Sequence, residues 1–250
     1  MKIAIIIQAR MGSTRMPGKI LTPFYEGQTI LDVLLNNLHK IDGVKIIVAT
    51  SVSKENDMLE SFLKARGELV YRGSENDVLD RFVKAAKTYN TDRIIRVCAD
   101  NPFMDRHSIS ELVRMAKSSD SDYIGFKIND TPSILTHFGF WGEFVTLSAL
   151  ERVASTTAAN TPAHEHVTYH VYNHQEDFKC EWLSCPKFME GRKDIRLTID
   201  TPDDFRNASF IYAGLIKLHP DFTLEDIVNY LDYHPDIKEQ MSVCINRNPK

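Results

Sequence analysis

An unbroken apolar run, Ile3-Ala4-Ile5-Ile6-Ile7, passes directly into a loop with two glycines and three cations, Gln8-Ala9-Arg10-Met11-Gly12-Ser13-Thr14-Arg15-Met16-Pro17-Gly18-Lys19. A strand without polar alternation needs cover on both faces, which a parallel sheet between helix layers supplies and a half-solvated antiparallel sheet does not. Lys2–Gln8 therefore reads as a central strand of an α/β sheet. The loop after it lies at a carboxyl strand end, where such sheets place their ligands. Gly12, Ser13, Thr14 and Gly18 leave the backbone free to turn its N–H groups outward, and Arg10, Arg15 and Lys19 add positive charge. A polyphosphate suits such a loop; a solvated surface turn is the alternative. The spacing matches neither Gly-x-x-x-x-Gly-Lys-Ser/Thr nor Gly-x-Gly-x-x-Gly, which removes the P-loop and dinucleotide readings.

Strand and helix signals then alternate. Helical spacing covers Thr29–Ile41, Glu55–Ala65, Asp77–Tyr89 and Ser108–Lys117. Strand-like runs cover Lys45–Thr50, Glu68–Tyr71, Arg93–Ala99 and Tyr123–Lys127. The rhythm predicts a mostly parallel sheet flanked by helices. Ile128–Glu143 reads as an antiparallel excursion. Helices follow over Leu147–Ala154, Glu165–Tyr172, Pro202–Leu218 and Thr223–Leu231, with strands over Phe178–Ser184 and Ile195–Ile199 between them. The last ten residues read as frayed. Asp203 and Asp204 suit the positive end of the Pro202 helix.

The chain has 250 residues, with 30 Lys+Arg against 34 Asp+Glu, a net charge of -4. That balance argues against a nucleic-acid partner but leaves room for a small anion held by local cations. The early apolar run is too short for a membrane span and has no cleavage-site pattern, so neither membrane association nor a signal peptide is expected. Four cysteines do not make a disulfide framework, and the expected location is cytoplasmic. One domain over 1–250 is expected.

Two aspartates end predicted strands. Asp100, in Arg96-Val97-Cys98-Ala99-Asp100-Asn101-Pro102, is well placed to hold Mg²⁺ on a nucleotide, or simply begins a turn. Asp200, in Asp194-Ile195-Arg196-Leu197-Thr198-Ile199-Asp200-Thr201-Pro202, precedes a helix that it or Thr201 would otherwise cap.

The loop over 8–19 resembles the opening of the cytidylyltransferases of polysaccharide synthesis. It is most similar to the spore-coat polysaccharide biosynthesis protein F group and, at longer range, to the CMP-Kdo and CMP-sialic acid synthetases. Arg10, Ser13, Arg15, Met16, Pro17, Gly18 and Lys19 match the family loop, and the 194–205 segment looks like its Leu-Thr-Val-Asp-Thr-Pro-Glu-Asp signature. The resemblance implies a Rossmann-like nucleotidyltransferase fold and transfer of CMP from CTP to a sugar acid with release of pyrophosphate. It implies Mg²⁺ on Asp100 and Asp200, with Arg10, Arg15 and Lys19 acting on the phosphates. Nucleotide contacts are implied for Gln8, Ala9, Arg10, Gly12, Ser13, Lys19, Ala99, Ser74 and Arg81, the last two from the family-like segment 72–82. There, Asn76 reads as a helix cap.

Acceptor contacts are implied for Glu143, and for His164, Glu165 and His166 in Thr161-Pro162-Ala163-His164-Glu165-His166-Val167-Thr168. His164 stands where the family has Arg, so a sugar carboxylate would be gripped more weakly there. The resemblance also implies a homodimer, with 128–185 as an acceptor-binding and dimerisation sub-region. Phe138, Phe140, Trp141 and Phe144 would cover that interface, stack on a sugar or fill the core. His166, His170 and His174 recur on one helical face near Cys180 and Cys185, but no Cys-x-x-Cys pair favours zinc. A nucleotide-sugar glycosyltransferase and a non-catalytic nucleotide binder are the rival readings. The first usually carries Asp-x-Asp, which Asp100-Asn101-Pro102 is not.

Overall fold

The computed structural model describes residues 2–248. The first half alternates strand and helix: β1 (Ile3–Gln8), β2 (Pro23–Tyr25), β3 (Gln28–Thr29), α1 (Ile30–Leu38), β4 (Lys45–Ser51), α2 (Asp57–Ala65), β5 (Leu69–Gly73), α3 (Val78–Thr88), β6 (Arg93–Cys98), α4 (Arg106–Ala116) and β7 (Tyr123–Ile128). The second half comprises β8 (Thr131–Pro132), β9 (Glu143–Thr146), α5 (Leu147–Thr156), α6 (Pro162–Glu165), α7 (Tyr169–Asn173), β10 (Cys180–Ser184), α8 (Pro202–Leu218), α9 (Leu224–Asp232) and α10 (Pro235–Arg247). The main sheet runs β10-β7-β9-β6-β1-β4-β5, with β8 beside β7, while β2 and β3 form a small antiparallel pair. Pairings among β6, β1, β4 and β5 are parallel; β9 lies antiparallel between β6 and β7.

The opening run is central, as its composition requires. Ile5 and Ile7 join the core beneath α1, α2 and α4, whereas Ala4 and Ile6 join the core beneath α3 and α5. Strand alternation thus sends one apolar run to two faces. Thr29, Thr201 and Thr223 cap α1, α8 and α9 in reciprocal capping boxes with Asp32, Asp204 and Asp226. Asp77 rather than Asn76 caps α3, by accepting the Asp80 N–H.

Several of these expectations change. The 128–143 stretch is antiparallel but returns into the main sheet as β9. Phe138, Phe140, Trp141 and Phe144 are all buried in this chain's own core, with Trp141 stacked on Phe126. The observation that prompted an aromatic dimer face is thereby accounted for by ordinary packing. The predicted Glu165–Tyr172 helix is broken into α6 and α7 around His166–Thr168, with Val167 at a φ of 27°. The expected strand over Ile195–Ile199 does not form: the segment bends at Thr198 and joins no ladder. The C-terminal stretch is helical to Arg247, because Met241 and Cys244 are buried against the core; the expectation of fraying at Pro249 and Lys250 lies outside the described residues.

A surface charge cluster ties α9 and α10 to the 192–194 segment: Arg192 donates to Asp194 and to Asp232, and Lys238 reaches Asp232 at 2.9 Å. Hydrogen bonding from Arg192 is the main cause that holds the Asp232 carboxyl down at about 2. Its contribution is complete above the ordinary carboxylate pKa, about 3.9, and is lost as pH falls toward 2. Because Asp232 is solvent-exposed, the contribution is below about 1 kcal/mol. Asp232→Asn should lower the melting temperature by about 2 °C at pH 6. That difference should vanish near pH 2; a gap independent of pH would show that the ion pairs are not its source. No helix among the described residues is long and apolar enough to cross a membrane.

Candidate active site

The cationic loop is shaped by its own backbone and by Asn56. The Met11 N–H donates to Asn56 Oδ1 at 2.9 Å, and the Ser13 and Gly18 N–H groups both donate to the Met11 carbonyl. Gly18 sits at a φ of 72°, in the left-handed region that favours glycine, and turns the chain into the short 3-10 segment Lys19–Leu21. That turn sends Lys19 inward. It is 7% exposed, and its Nζ donates to Asp100 Oδ2 at 2.7 Å and to the Ile199 carbonyl.

Asp100 follows β6 by two residues, on the same edge as Gln8 at the end of β1. Asp200 reaches this edge from the far end of the sequence. The 195–199 segment docks by its backbone: Leu197 and Thr198 N–H donate to the His137 carbonyl, and Ile199 N–H donates to the Asp100 carbonyl at 3.4 Å. Asp200 then accepts from Arg15 Nη2 at 2.9 Å and from Arg196 Nη2 at 3.0 Å. Arg196 is buried and also grips Asp204 through Nε at 2.7 Å. Burial alone would raise the Asp204 pKa; the Arg196 guanidinium outweighs it and holds the carboxyl below its usual range.

A cavity of about 200 Å³ opens here, lined by Gln8, Arg10, Ser13, Thr14, Arg15, Lys19, Ile20, Cys98, Ala99, Asp100 and Asp200. The structure therefore brings together Gln8, Arg10, Ser13, Arg15, Lys19, Ala99, Asp100 and Asp200 from among the residues singled out by sequence. Ala9 is buried beneath the loop, and Gly12 packs against the Glu55 side chain. Ser74 and Arg81 do not line the cavity: Arg81 is buried, donates from Nη1 to the Ser74 carbonyl at 2.7 Å, and leaves Nε without a partner. Burial first, and then Arg10, push its pKa down. A larger cavity, about 690 Å³, opens beside Pro102–Met104 and contains none of the predicted residues. Strand-end position and charge identify the site; size does not.

The acceptor-side residues are placed differently from the expectation. Glu143 is 1% exposed and accepts from Arg96, Tyr123 and Thr168. His164 is buried, with Nδ1 at 2.8 Å from Asp77 and Nε2 at 3.1 Å from Thr157. Glu165 and His166 are exposed, away from the cavity lining. The histidines lie in separate contacts: His166 lies outside α7, and His170 stacks on His174 at 3.8 Å.

Among the described residues no group of three or more His, Cys, Asp or Glu could hold a metal ion. The cavity nevertheless offers two carboxylates, and this donor set fits magnesium. Magnesium takes one or two protein carboxylates and completes its shell with water and phosphate oxygens. The same set does not fit an all-protein zinc or calcium cage.

Sequence reasoning missed Arg96 and Arg196. Both left a signal, a lone arginine inside an apolar run (Ile94-Ile95-Arg96-Val97 and Ile195-Arg196-Leu197). Such a residue is rarely buried without a partner.

The chain is 33% identical over 239 residues to the spore coat polysaccharide biosynthesis protein SpsF of Bacillus subtilis, covering 94% of this chain and 95% of that protein. It is 38% identical over 242 residues to the uncharacterised protein MJ1063 of Methanocaldococcus jannaschii, covering 95% and 93%. The solved structure of a cytidylyltransferase from Leptospira borgpetersenii superimposes with a TM-score of 0.79 at 31% identity, over 95% of this chain and 96% of that one. The family model for cytidylyltransferases matches residues 4–246, and the chain belongs to that family.

Proposed function

We propose that the protein transfers CMP from CTP to a sugar acid, of the nonulosonate or Kdo type, and releases pyrophosphate in the synthesis of a surface polysaccharide or glycoconjugate. The observation that carries this reading is the convergence of Arg10, Arg15, Lys19, Asp100 and Asp200 on one cavity. In the reaction, an acceptor hydroxyl oxygen bonds to the α-phosphorus. The bond from that phosphorus to the bridging oxygen of the β-phosphate breaks, and the hydroxyl proton is lost to solvent. Negative charge then builds on the leaving pyrophosphate, where preorganised cations act.

Lys19 and Arg15 pair with Asp100 and Asp200 at 2.7 and 2.9 Å. These pairs suit an exchange in which the triphosphate takes the two cations and the carboxylates become free for Mg²⁺. Held by Asp100 and Asp200, Mg²⁺ would shield the phosphates and lower the acceptor hydroxyl pKa. Ser74 and Arg81, beside Arg10, form the base side in this reading. The acceptor carboxylate is not assigned to His164, whose two ring nitrogens already have partners. Two copies of the chain are proposed to pair, to be read by sedimentation; a clean monomer at micromolar concentration would refute the pairing and leave the chemistry untouched.

The test is pyrophosphate release from CTP, ATP, GTP and UTP with Mg²⁺ across a panel of sugar acids and neutral sugars. CTP with one sugar acid is expected to exceed the other nucleotides at least tenfold. Equal turnover of a purine nucleotide would sink the cytidine assignment, and turnover with neutral sugars only would sink the sugar-acid assignment.

A further inference from the structure

A row of polar side chains crosses one face of the otherwise apolar sheet. Parallel register sets Gln8 of β1 beside Cys98 of β6, and antiparallel register sets Glu143 of β9 beside Arg96, two residues before Cys98 and on its face. Arg96 is 6% exposed and Glu143 is 1% exposed. Arg96 Nη1 donates to Glu143 Oε2 at 2.5 Å. The rest of the carboxylate is filled by the Tyr123 hydroxyl, at 2.6 Å from Oε1, and by the Thr168 hydroxyl, at 3.1 Å from both oxygens. Glu143 therefore has no free edge with which to meet an acceptor molecule.

Arg96 has a second side. Its Nε and Nη2 donate to Gln8 Oε1 at 3.3 and 3.0 Å. A guanidinium only donates, so the carbonyl end of the Gln8 amide must face it, and the NH₂ end must face away. Gln8 lines the phosphate cavity, and no acceptor among the described residues takes its Nε2 hydrogens. An isolated buried ion pair is a weak source of stability, since apolar residues of similar volume often serve as well. What a guanidinium fork adds here is direction: it fixes which end of an amide points into the cavity.

We propose that Arg96, locked by Glu143, is a positioning residue that aims the Gln8 amide N–H groups at an oxygen of the bound nucleotide. The inference rests on the nucleotidyl-transfer reading above. It moves Glu143 from the acceptor pocket into a relay that starts at Thr168 and Tyr123, passes through Glu143 and Arg96, and ends at Gln8. Gln8 is the residue that touches the nucleotide; Arg96 acts through it.

The experiment is a double-mutant cycle on CTP affinity, measured by calorimetry with Mg²⁺, alongside thermal melts. Gln8→Leu removes the donor and should weaken CTP about tenfold. Arg96→Lys keeps the cation beside Glu143, but one ammonium cannot serve Glu143 and hold the amide as a fork does, so a similar loss is expected with folding intact. The double variant should bind no worse than the weaker single one, because both changes remove the same contact. Gln8→Glu keeps the bond to Arg96 but turns an oxygen to the phosphates, and should weaken CTP more than Gln8→Leu does. If Arg96→Lys unfolds, Arg96→Met with Glu143→Leu removes both charges together and is read in the same cycle.

Losses that multiply in the double variant, or wild-type affinity in Arg96→Lys, would overturn the positioning role. Failure of the wild-type protein itself to bind CTP would instead overturn the nucleotide reading on which the proposal rests.

Discussion

Asp100→Asn and Asp200→Asn should each cut pyrophosphate release by about a hundredfold or more, the scale set by loss of a main electrostatic stabiliser. Asn keeps the shape of the side chain and removes the charge that would meet Mg²⁺. The double variant should cost little beyond the worse single one, since both residues serve one unit. Lys19→Ala should weaken CTP affinity and rate while the response to magnesium persists. The measurement is pyrophosphate release across a magnesium titration, with melts as the folding control. Near-normal activity and magnesium response in Asp200→Asn would mean that Asp200 serves only to hold Arg15 and Arg196.

The stability side of this prediction has a definite sign. Two carboxylates read from sequence as a lone pair would repel, and removing one would relieve the apoprotein. In the structure each has a cation instead: Asp100 has Lys19, and Asp200 has Arg15 and Arg196. Asp100→Asn leaves a nearly buried lysine without its carboxylate counter-charge. Both substitutions should therefore lower the melting temperature slightly, not raise it.

Arg196→Met should have the largest effect on stability, about 3–5 kcal/mol, because it leaves the Asp204 carboxylate buried and uncompensated. Arg196 is 3% exposed and Asp204 is 4% exposed, joined by two bonds at 2.7 and 3.0 Å. The melting temperature should fall by about 10 °C. Adding Asp204→Asn to Arg196→Met should recover part of that loss by removing the stranded charge. Activity should fall as well, since Asp200 loses one of its two cations. An unchanged melting temperature in Arg196→Met would show that the buried pair does not hold the 195–204 segment in place.

Much of the site was legible in the amino-acid sequence because its signals are local. The run Ile3–Ile7 demanded a doubly covered strand; the glycines and cations of 8–19 described a phosphate loop on their own; and Asp100 followed an apolar strand with Asn-Pro behind it. Each of these rests on neighbours within a dozen residues, where spacing and conformation are tightly coupled. Asp200 was legible as a residue but not as a strand end: its segment forms no strand, and its backbone bonds go to the His137 and Asp100 carbonyls.

The rest was decided by tertiary structure, because it depends on which distant groups meet. Nothing near Glu143 in the chain says that β9 will enter the sheet antiparallel between β6 and β7, yet that insertion alone sets it against Arg96 and closes it to solvent. His164 likewise lies in a segment that resembles an acceptor motif, and only the packing of α6 on α3 turns its ring to Asp77. Local pattern determined what each element is and which loop carries charge. The partners of the buried polar groups had to await the fold, since a buried charge is specified by the group it faces across the core.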